Sequence, residues 1–113
     1  YQVVDKGERP DNWRDTSGSA MFIYALQRGV DLGYLSAAEY GPLAARGFAG
    51  LATKVVLHED GLVDIVEACD GVCVQRSYED YVRYPRVVNA KEAVGSVLWA
   101  ATIMEKPRGT EIA

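Results

Sequence analysis

The sequence feature that most constrains the fold is an uninterrupted apolar stretch at residues 20–26, Ala-Met-Phe-Ile-Tyr-Ala-Leu. Possible helix caps precede it from Asp15 to Ser19, since their side chains can accept hydrogen bonds from the N–H groups of a first helical turn. Gly29 is a suitable residue for the C-terminal end of the same helix. Because a helix that is apolar all round must be packed on more than one side, we expect a core helix here.

A second helix is predicted to end near Lys54. Ser36 and Glu39 have the spacing of a capping box, which favours a start at residue 37, whereas Pro42 could instead mark the first turn of a helix that begins later. Leu43, Gly47, Leu51 and Val55 recur at every fourth position, as on one face of a helix.

A β-hairpin is predicted near residues 55–67. Two runs rich in β-branched residues, 55–59 and 62–66, flank the dipeptide Asp60-Gly61. Asp-Gly is typical of a two-residue type I′ turn, in which both residues have positive φ. The segment that follows, from Glu67 to Val88, is expected to be irregular.

The last predicted helix has Asn89 as its cap and ends at Lys106-Pro107. Its expected apolar stripe comprises Ala93, Val97, Leu98, Ala101 and Met104. Three helices and one hairpin make a thin core for 113 residues. We therefore expect a mainly α fold that belongs to a larger helical array.

Composition narrows the function classes. The chain is 49% hydrophobic and 25% charged, which is typical of a single globular domain and excludes a disordered tail. Its net charge of −4 argues against nucleic acid and against an anionic membrane surface as partners. No apolar run approaches the ~20 residues that a membrane-spanning helix needs.

The N-terminal sequence and the cysteines bear on processing and compartment. Residues 1–5 have no features of a signal peptide and resemble mid-protein sequence, so we expect a processed or truncated product. Cys69 and Cys73 are expected to be thiols in a glycine turn, which favours a cytoplasmic location. With His58 as the single histidine, no metal site is expected.

Several of these strings, in this order, resemble the unsaturated glucuronyl and rhamnogalacturonyl hydrolases, glycoside hydrolase families 88 and 105. The most specific is the string Thr-Ser-Gly-Ser-Ala-Met-Phe at residues 16–22. The resemblance extends almost to Glu105, and its other parts are Gln2–Asp5, Gly29-Val30, Gly33–Leu35, Ala45–Leu51, Asp60-Gly61, Cys69–Gly71 and Asn89–Gly95.

The resemblance implies an (α/α)6 barrel of six helical hairpins, of which residues 1–113 would be the C-terminal portion. It also implies removal of a terminal 4,5-unsaturated uronic acid from oligosaccharides made by pectin or glycosaminoglycan lyases. In these enzymes an aspartic acid protonates the C4–C5 double bond and activates water, without a metal or organic cofactor. That catalytic motif maps onto no residue of this chain, so the resemblance implies a pocket wall and scaffold.

The candidate substrate-binding residues are Trp13, Arg14, Asp15, Thr16 and Ser17. An aromatic face can stack on a sugar ring, and a guanidinium can pair with a carboxylate through two hydrogen bonds. The resemblance implies that inner helices direct their N-termini at the barrel centre, and a helix N-terminus suits an anionic uronate. Helix capping by residues 15–17 and plain packing by residues 13–14 are the alternatives.

The sequence is also compatible with two other functions. The chain could be a non-catalytic fragment that assembles through exposed helix faces, or a small module that binds acidic sugars without chemistry. We expect either a homo-oligomer or a missing N-terminal part of the barrel to cover the apolar helix faces.

Overall fold

The computed structural model describes residues 1–107, which form four helices and two small antiparallel sheets. The helices are α1 (Thr16–Asp31), α2 (Ala37–Ala52), α3 (Tyr78–Val82) and α4 (Lys91–Glu105). The strands are β1 (Val55–Leu57), β2 (Val63–Ile65), β3 (Ala68–Cys69) and β4 (Arg86–Val87). The fold is therefore mainly helical, as the sequence predicts.

Helix α1 is longer than expected, and Gly29 lies inside it rather than at its end. The left-handed residue is Gly33, with a φ of 79°, and its N–H donates to the carbonyl of Val30 at 3.0 Å. Gly29 is needed for a close contact instead, because a Cβ atom there would lie 2.8 Å from Cδ1 of Leu35. The prediction for Gly29 was wrong because packing, and not φ, selects glycine there.

Helix α2 begins directly after Ser36, whose hydroxyl accepts a hydrogen bond from the Glu39 N–H at 3.4 Å. Pro42 lies inside the helix, so the capping-box start is confirmed and the later start is wrong. Only five residues connect α1 to α2, so the two helices form an antiparallel hairpin.

Helix α1 packs between α2 and α4. Gly47 of α2 lets that helix approach closely, since a Cβ atom there would lie 2.9 Å from Cγ1 of Ile23. Helices α1 and α4 run in the same direction, because Ser17 near the start of α1 contacts Ser96, and Tyr24, further along α1, contacts Trp99, further along α4. The core that these helices share with the strands contains many small residues: Ala20, Ile23, Leu51, Ile65, Ala68, Ala90, Ala93, Val97 and Ala100.

One side of this three-helix layer remains open. Met21 and Phe22 of α1 are 50% and 60% exposed, and Leu98 and Trp99 of α4 are 64% and 62% exposed. The expectation that α1 packs on more than one side is confirmed, yet residues 1–107 leave its remaining face in solvent. The predicted stripe of α4 was wrong at Leu98, because the buried row continues through Ala100 and Ile103.

The predicted hairpin is formed by β1 and β2, with Val55 opposite Ile65. Its turn is not type I′, because Gly61 has a φ of 84° but Asp60 has no positive φ. The His58 N–H donates to the Leu62 carbonyl at 2.9 Å, which closes a three-residue loop instead of a two-residue one. Such loops need left-handed backbone only at their last residue.

The segment predicted to be irregular is ordered by the short β3–β4 sheet and by α3. The N-cap of α4 is Ala90, without a side-chain hydrogen bond, and not the predicted Asn89. Asn89 has a φ of 58° and joins β2 instead: its Oδ1 accepts the Ile65 N–H and its Nδ2 donates to Asp64, each at 2.8 Å. Asn89 therefore makes a long-range contact with β2 instead of capping α4.

Candidate functional site

Asp15, at the N-terminus of α1, accepts four hydrogen bonds. Its Oδ1 accepts the backbone N–H groups of Ser17 at 3.2 Å and of Cys69 at 2.8 Å. Its Oδ2 accepts the Ser17 hydroxyl at 2.6 Å and the Gly18 N–H at 2.8 Å. The carboxylate therefore caps the helix and ties its first turn to β3.

The next two residues are buried and bonded within the chain. Thr16 is 2% exposed, and its hydroxyl donates to the carbonyl of Val66 at 2.7 Å. Ser17 is 6% exposed, and its own carbonyl accepts a hydrogen bond from the Ser96 hydroxyl of α4 at 3.3 Å. The Thr16 side chain and the Ser17 carbonyl thus hold the start of α1 against the segment between β2 and β3 and against α4.

Trp13 is buried to 7% exposure, and its indole N–H donates to the carbonyl of Val82 at 2.9 Å. The guanidinium of Arg86 lies 4.8 Å from the centre of the Trp13 rings. One aromatic face is thus covered by a cation of the same chain. The indole fastens the loop before α1 to the segment that contains α3.

Arg14, by contrast, is exposed. It donates a hydrogen bond from Nη2 to the Tyr1 hydroxyl at 3.3 Å, and its Cζ atom lies 5.1 Å from the centre of the Tyr1 ring. Both contacts are with an uncharged group, so they orient the guanidinium without neutralising it. Among residues 13–17, Arg14 has the side chain best placed to meet a ligand.

Arg14 stands at one end of a groove of about 620 Å³ between α1 and α2. The groove has apolar walls, formed in part by Phe22 and Leu43, and Thr16 and Ser19 also line it, with hydroxyls that donate to backbone carbonyls. Within residues 1–107, the charged side chains that line it are all basic: Arg14, Arg46 and Lys54. A cationic groove in a chain of net charge −4 can bind an anion with apolar surface.

Sequence reasoning missed Arg46 and Lys54 as candidate site residues. The helical spacing of α2 could have found Arg46, because it lies three residues after Leu43 and four before Gly50, and all three line the groove. Lys54 is partly neutralised by an ion pair with Glu67. The hydrogen bond from Lys54, with its charge, lowers the pKa of the Glu67 carboxyl.

A second groove, of about 780 Å³, lies between α1 and α4. Tyr24 and Trp99 form its aromatic part, with their ring centroids 5.2 Å apart and an angle of 53° between the rings. Arg28, Leu98 and Glu105 also line it. Its charged residues have both signs, unlike those of the first groove.

Other polar clusters serve the fold. On the hairpin, His58 Nε2 lies 2.8 Å from Asp64 Oδ2. The hydrogen bonds that Asp64 makes with Asn89 and with His58 lower the pKa of its carboxyl.

Cys69 and Cys73 are free thiols. Burial raises the pKa of the Cys69 thiol. Residues 1–107 contain no group of three potential metal ligands, and none of their helices could span a membrane.

The sequence and the fold are similar to those of known proteins. The family model of Glycosyl Hydrolase Family 88 matches residues 1–107. The chain belongs to glycosyl hydrolase family 88. The match includes the capped start of α1, both helices that line the groove, and α4.

This family 88 chain is also similar to a solved structure, a glycoside hydrolase of family 105 from C. acetobutylicum. The two share 33% sequence identity with a TM-score of 0.85 over 93% of this chain. The matched part is 31% of that protein, so the family 88 chain spans about a third of the length of the structure it matches.

Proposed function

We propose that this family 88 chain is part of a hydrolase acting on unsaturated uronyl oligosaccharides, the products of pectin or glycosaminoglycan lyases. In this proposal it supplies one wall of the sugar pocket and the scaffold behind that wall. The aspartic acid that protonates the substrate comes from sequence outside these 113 residues. The observation that carries the proposal is the TM-score of 0.85 with a family 105 glycoside hydrolase three times as long.

The proposed fold of the whole enzyme is an (α/α)6 barrel of six hairpins. The antiparallel α1–α2 hairpin, with α4 parallel to α1, supports it, because neighbouring inner helices of such a barrel run in the same direction. The solvent-exposed Met21, Phe22, Leu98 and Trp99 support it too, since contiguous apolar faces mark surfaces that other elements cover.

Residues 13–17 are the proposed substrate wall, with different roles. Arg14 is proposed to contact the uronate carboxylate, because it is exposed and its partner Tyr1 carries no charge. Asp15, Thr16 and Ser17 are proposed to position it through their hydrogen bonds to the strands and to α4. Buried Trp13 fixes the loop that carries Arg14.

A chimera tests the proposal. Residues 1–107 replace the matched 31% of the C. acetobutylicum protein, and the chimera is mixed with the products of a pectate lyase. We expect the ultraviolet absorbance of the C4–C5 double bond to disappear, as with the intact parent. A folded chimera that leaves the absorbance unchanged, beside a parent that removes it, would contradict the proposal.

Exposed apolar surface favours a second candidate, a non-catalytic assembly of this chain with itself. The α1–α4 groove carries Arg28 and Glu105, charges of opposite sign that a two-fold axis could pair. Light scattering separates the two candidates, because an assembly has a mass of several chains and consumes no double bond. For a sugar-binding module, oligosaccharide quenches the fluorescence of the exposed Trp99 without turnover.

A further inference from the structure

Glu67 connects the hairpin to β3 in a backbone conformation that its residue type disfavours. Within residues 1–107, the residues other than glycine with a positive φ are Glu67 and Asn89, each at 58°. A Cβ atom makes this left-handed region costly, and among residues that carry one, asparagine and aspartate enter it most readily. Asn89 is therefore of a tolerated type, whereas Glu67 must be held there by contacts with the rest of the chain.

The main chain of Glu67 completes the cap of α1. Its carbonyl accepts hydrogen bonds from the Thr16 N–H and from the Thr16 hydroxyl, each at 3.1 Å. The Thr16 N–H is the first of the helix and has no partner within it. Asp15 accepts the next three N–H groups, two with its carboxylate and one with its carbonyl. The start of α1 therefore lies where the left-handed Glu67 places its carbonyl.

The Glu67 side chain is held by a lysine from another element. Lys54, just after α2, forms an ion pair with Glu67, and the two side chains are 31% and 46% exposed. The hydrogen bond from Lys54, with its charge, lowers the pKa of the Glu67 carboxyl from its ordinary 4.5. Arg86 of β4 adds a weaker attraction, and the nearby Asp15 is engaged by its own hydrogen bonds. Glu67 is therefore charged at neutral pH, and protons can reach it from solvent.

We propose that the Lys54–Glu67 ion pair positions the N-terminus of α1 by holding Glu67 in its left-handed conformation, and that neutralising Glu67 releases its contact with Thr16. Glu67 is then a positioning residue, because it acts on residues 13–17 through its carbonyl and not through its carboxylate. This role does not depend on the hydrolase assignment, since it concerns contacts within the chain alone. The expected effect is a local opening at one end of α1, while the rest of the helix stays intact.

Amide hydrogen exchange, followed by NMR on the whole chain, measures this opening through the protection factor of the Thr16 N–H. Because the folded pKa of Glu67 lies below 4.5, the ion pair is present above pH 4.5 and is lost as the pH falls through the lowered value. We expect the Thr16 protection factor to fall about twofold to fivefold over that range, as for a partly exposed ion pair. The Ile23 N–H, in the buried middle of α1, should keep its protection.

Charge variants identify the groups responsible. Glu67→Gln and Lys54→Met remove the ion pair but keep side chains of similar length. Each should lower the Thr16 protection factor about twofold to fivefold at neutral pH and flatten its dependence on pH. Glu59→Gln removes an exposed carboxylate from the hairpin loop and should change neither property. Asp64→Asn removes the other hairpin carboxylate with a lowered pKa and should leave the midpoint of the Thr16 profile in place.

Two further variants separate backbone strain from charge. Glu67→Ala removes the ion pair and keeps the Cβ atom, whereas Glu67→Gly removes both, and glycine adopts a φ of 58° without steric cost. The Thr16 protection factor should therefore be roughly fivefold higher in Glu67→Gly than in Glu67→Ala. If the carboxylate instead acted directly on the positive end of the α1 dipole, the two variants would be equally impaired.

Four outcomes would overturn the proposal. They are a wild-type Thr16 profile without a step in acid, full Thr16 protection in Lys54→Met, equal protection in Glu67→Ala and Glu67→Gly, and a parallel loss of protection at Thr16 and Ile23. The last would mean that acid unfolds the whole helix and not its first turn alone. Circular dichroism of each variant at neutral pH checks that the helices are formed before exchange is measured.

Discussion

The carboxylate of Asp15 lies 2.8 Å from the backbone nitrogen of Cys69, a residue 54 positions later in the chain. The same carboxylate caps α1 through Ser17 and Gly18. One side chain therefore fixes both the start of the central helix and the position of β3 against it. Any wall that residues 13–17 form depends on this contact.

Asp15→Ala should lower the free energy of unfolding by roughly 2 to 4 kcal/mol, since a lost cap costs ~1 kcal/mol and a buried N–H without a partner ~1–3 kcal/mol. Urea denaturation measures the change. Ser36→Ala is the matched control, because it removes an exposed cap with one hydrogen bond of 3.4 Å and should cost about 0.5–1 kcal/mol. Equal losses in the two variants would contradict the bridging role of Asp15.

Two glycines of α2 should respond oppositely to alanine. Gly47→Ala places a methyl group 2.9 Å from Cγ1 of Ile23, which should cost ~1–3 kcal/mol of stability through overpacking between α1 and α2. Gly50→Ala meets no neighbouring atom and should stabilise the helix by up to ~1 kcal/mol. Thermal unfolding of both variants measures the difference, and a gain for Gly47→Ala would refute the close approach of α1 and α2.

Tyr78 should ionise at unusually high pH. Loss of water around the phenol, with the hydrogen bond that it donates to Asp11 at 2.7 Å, raises the pKa of Tyr78 to about 12 from an ordinary 10.0. The raised pKa contributes stability that is complete below pH 10 and is lost as pH rises through about 12.

Subtracting the ultraviolet pH titration of Tyr78→Phe from that of the wild type gives the titration curve of the Tyr78 phenol alone. We expect its midpoint near pH 12, and Asp11→Asn should move the midpoint towards 10 because it removes the neighbouring negative charge. A difference curve that already has its midpoint at pH 10 would refute the contact between Tyr78 and Asp11.

Met21→Asp should change association and not folding. Met21 is 50% exposed, so an aspartate there keeps its contact with water and should shift the melting temperature by no more than about 2 °C. Light scattering should show a mass that grows with concentration for the wild type and less growth for this variant.

The control for this experiment is Leu57→Asp, on the hairpin. Leu57 is 72% exposed but belongs to β1 and to neither α1 nor α4, so this variant should associate like the wild type. A wild type that stays monomeric at every concentration would show that residues 20–26 need no further cover.

Local sequence predicted most helix and strand positions. The Ser36 cap of α2, the end of α4 before Pro107, and the hairpin around Gly61 are all present. Each depends on residues close in sequence, such as a hydroxyl that reaches the first turn of its own helix. The family resemblance, carried by residues 16–22 above all, is confirmed by the family 88 match.

Contacts between distant residues were not predictable in this way. Asn89 is a residue type that often caps helices, yet its side chain bonds to Asp64 and Ile65 of β2. Gly29 is a residue type that often ends helices, yet it lies inside α1, and Leu35 of the α1–α2 connection packs against it. In both cases a partner from another segment outcompetes the local structure that the residue type favours.

The sequence by itself determined that the chain is mainly helical, that its central helix carries apolar groups on all sides, and that it resembles families 88 and 105. These properties follow from the order of residue types along the chain. Only the tertiary structure decided that Trp13 and Thr16 are buried, that Arg14 is exposed, and that Arg46 joins it in one groove. The physical reason is that exposure and charge clustering depend on contacts between distant segments. Trp13 and Thr16 bond to Val82 and Val66, and close packing at Gly47 sets which faces of α1 and α2 meet.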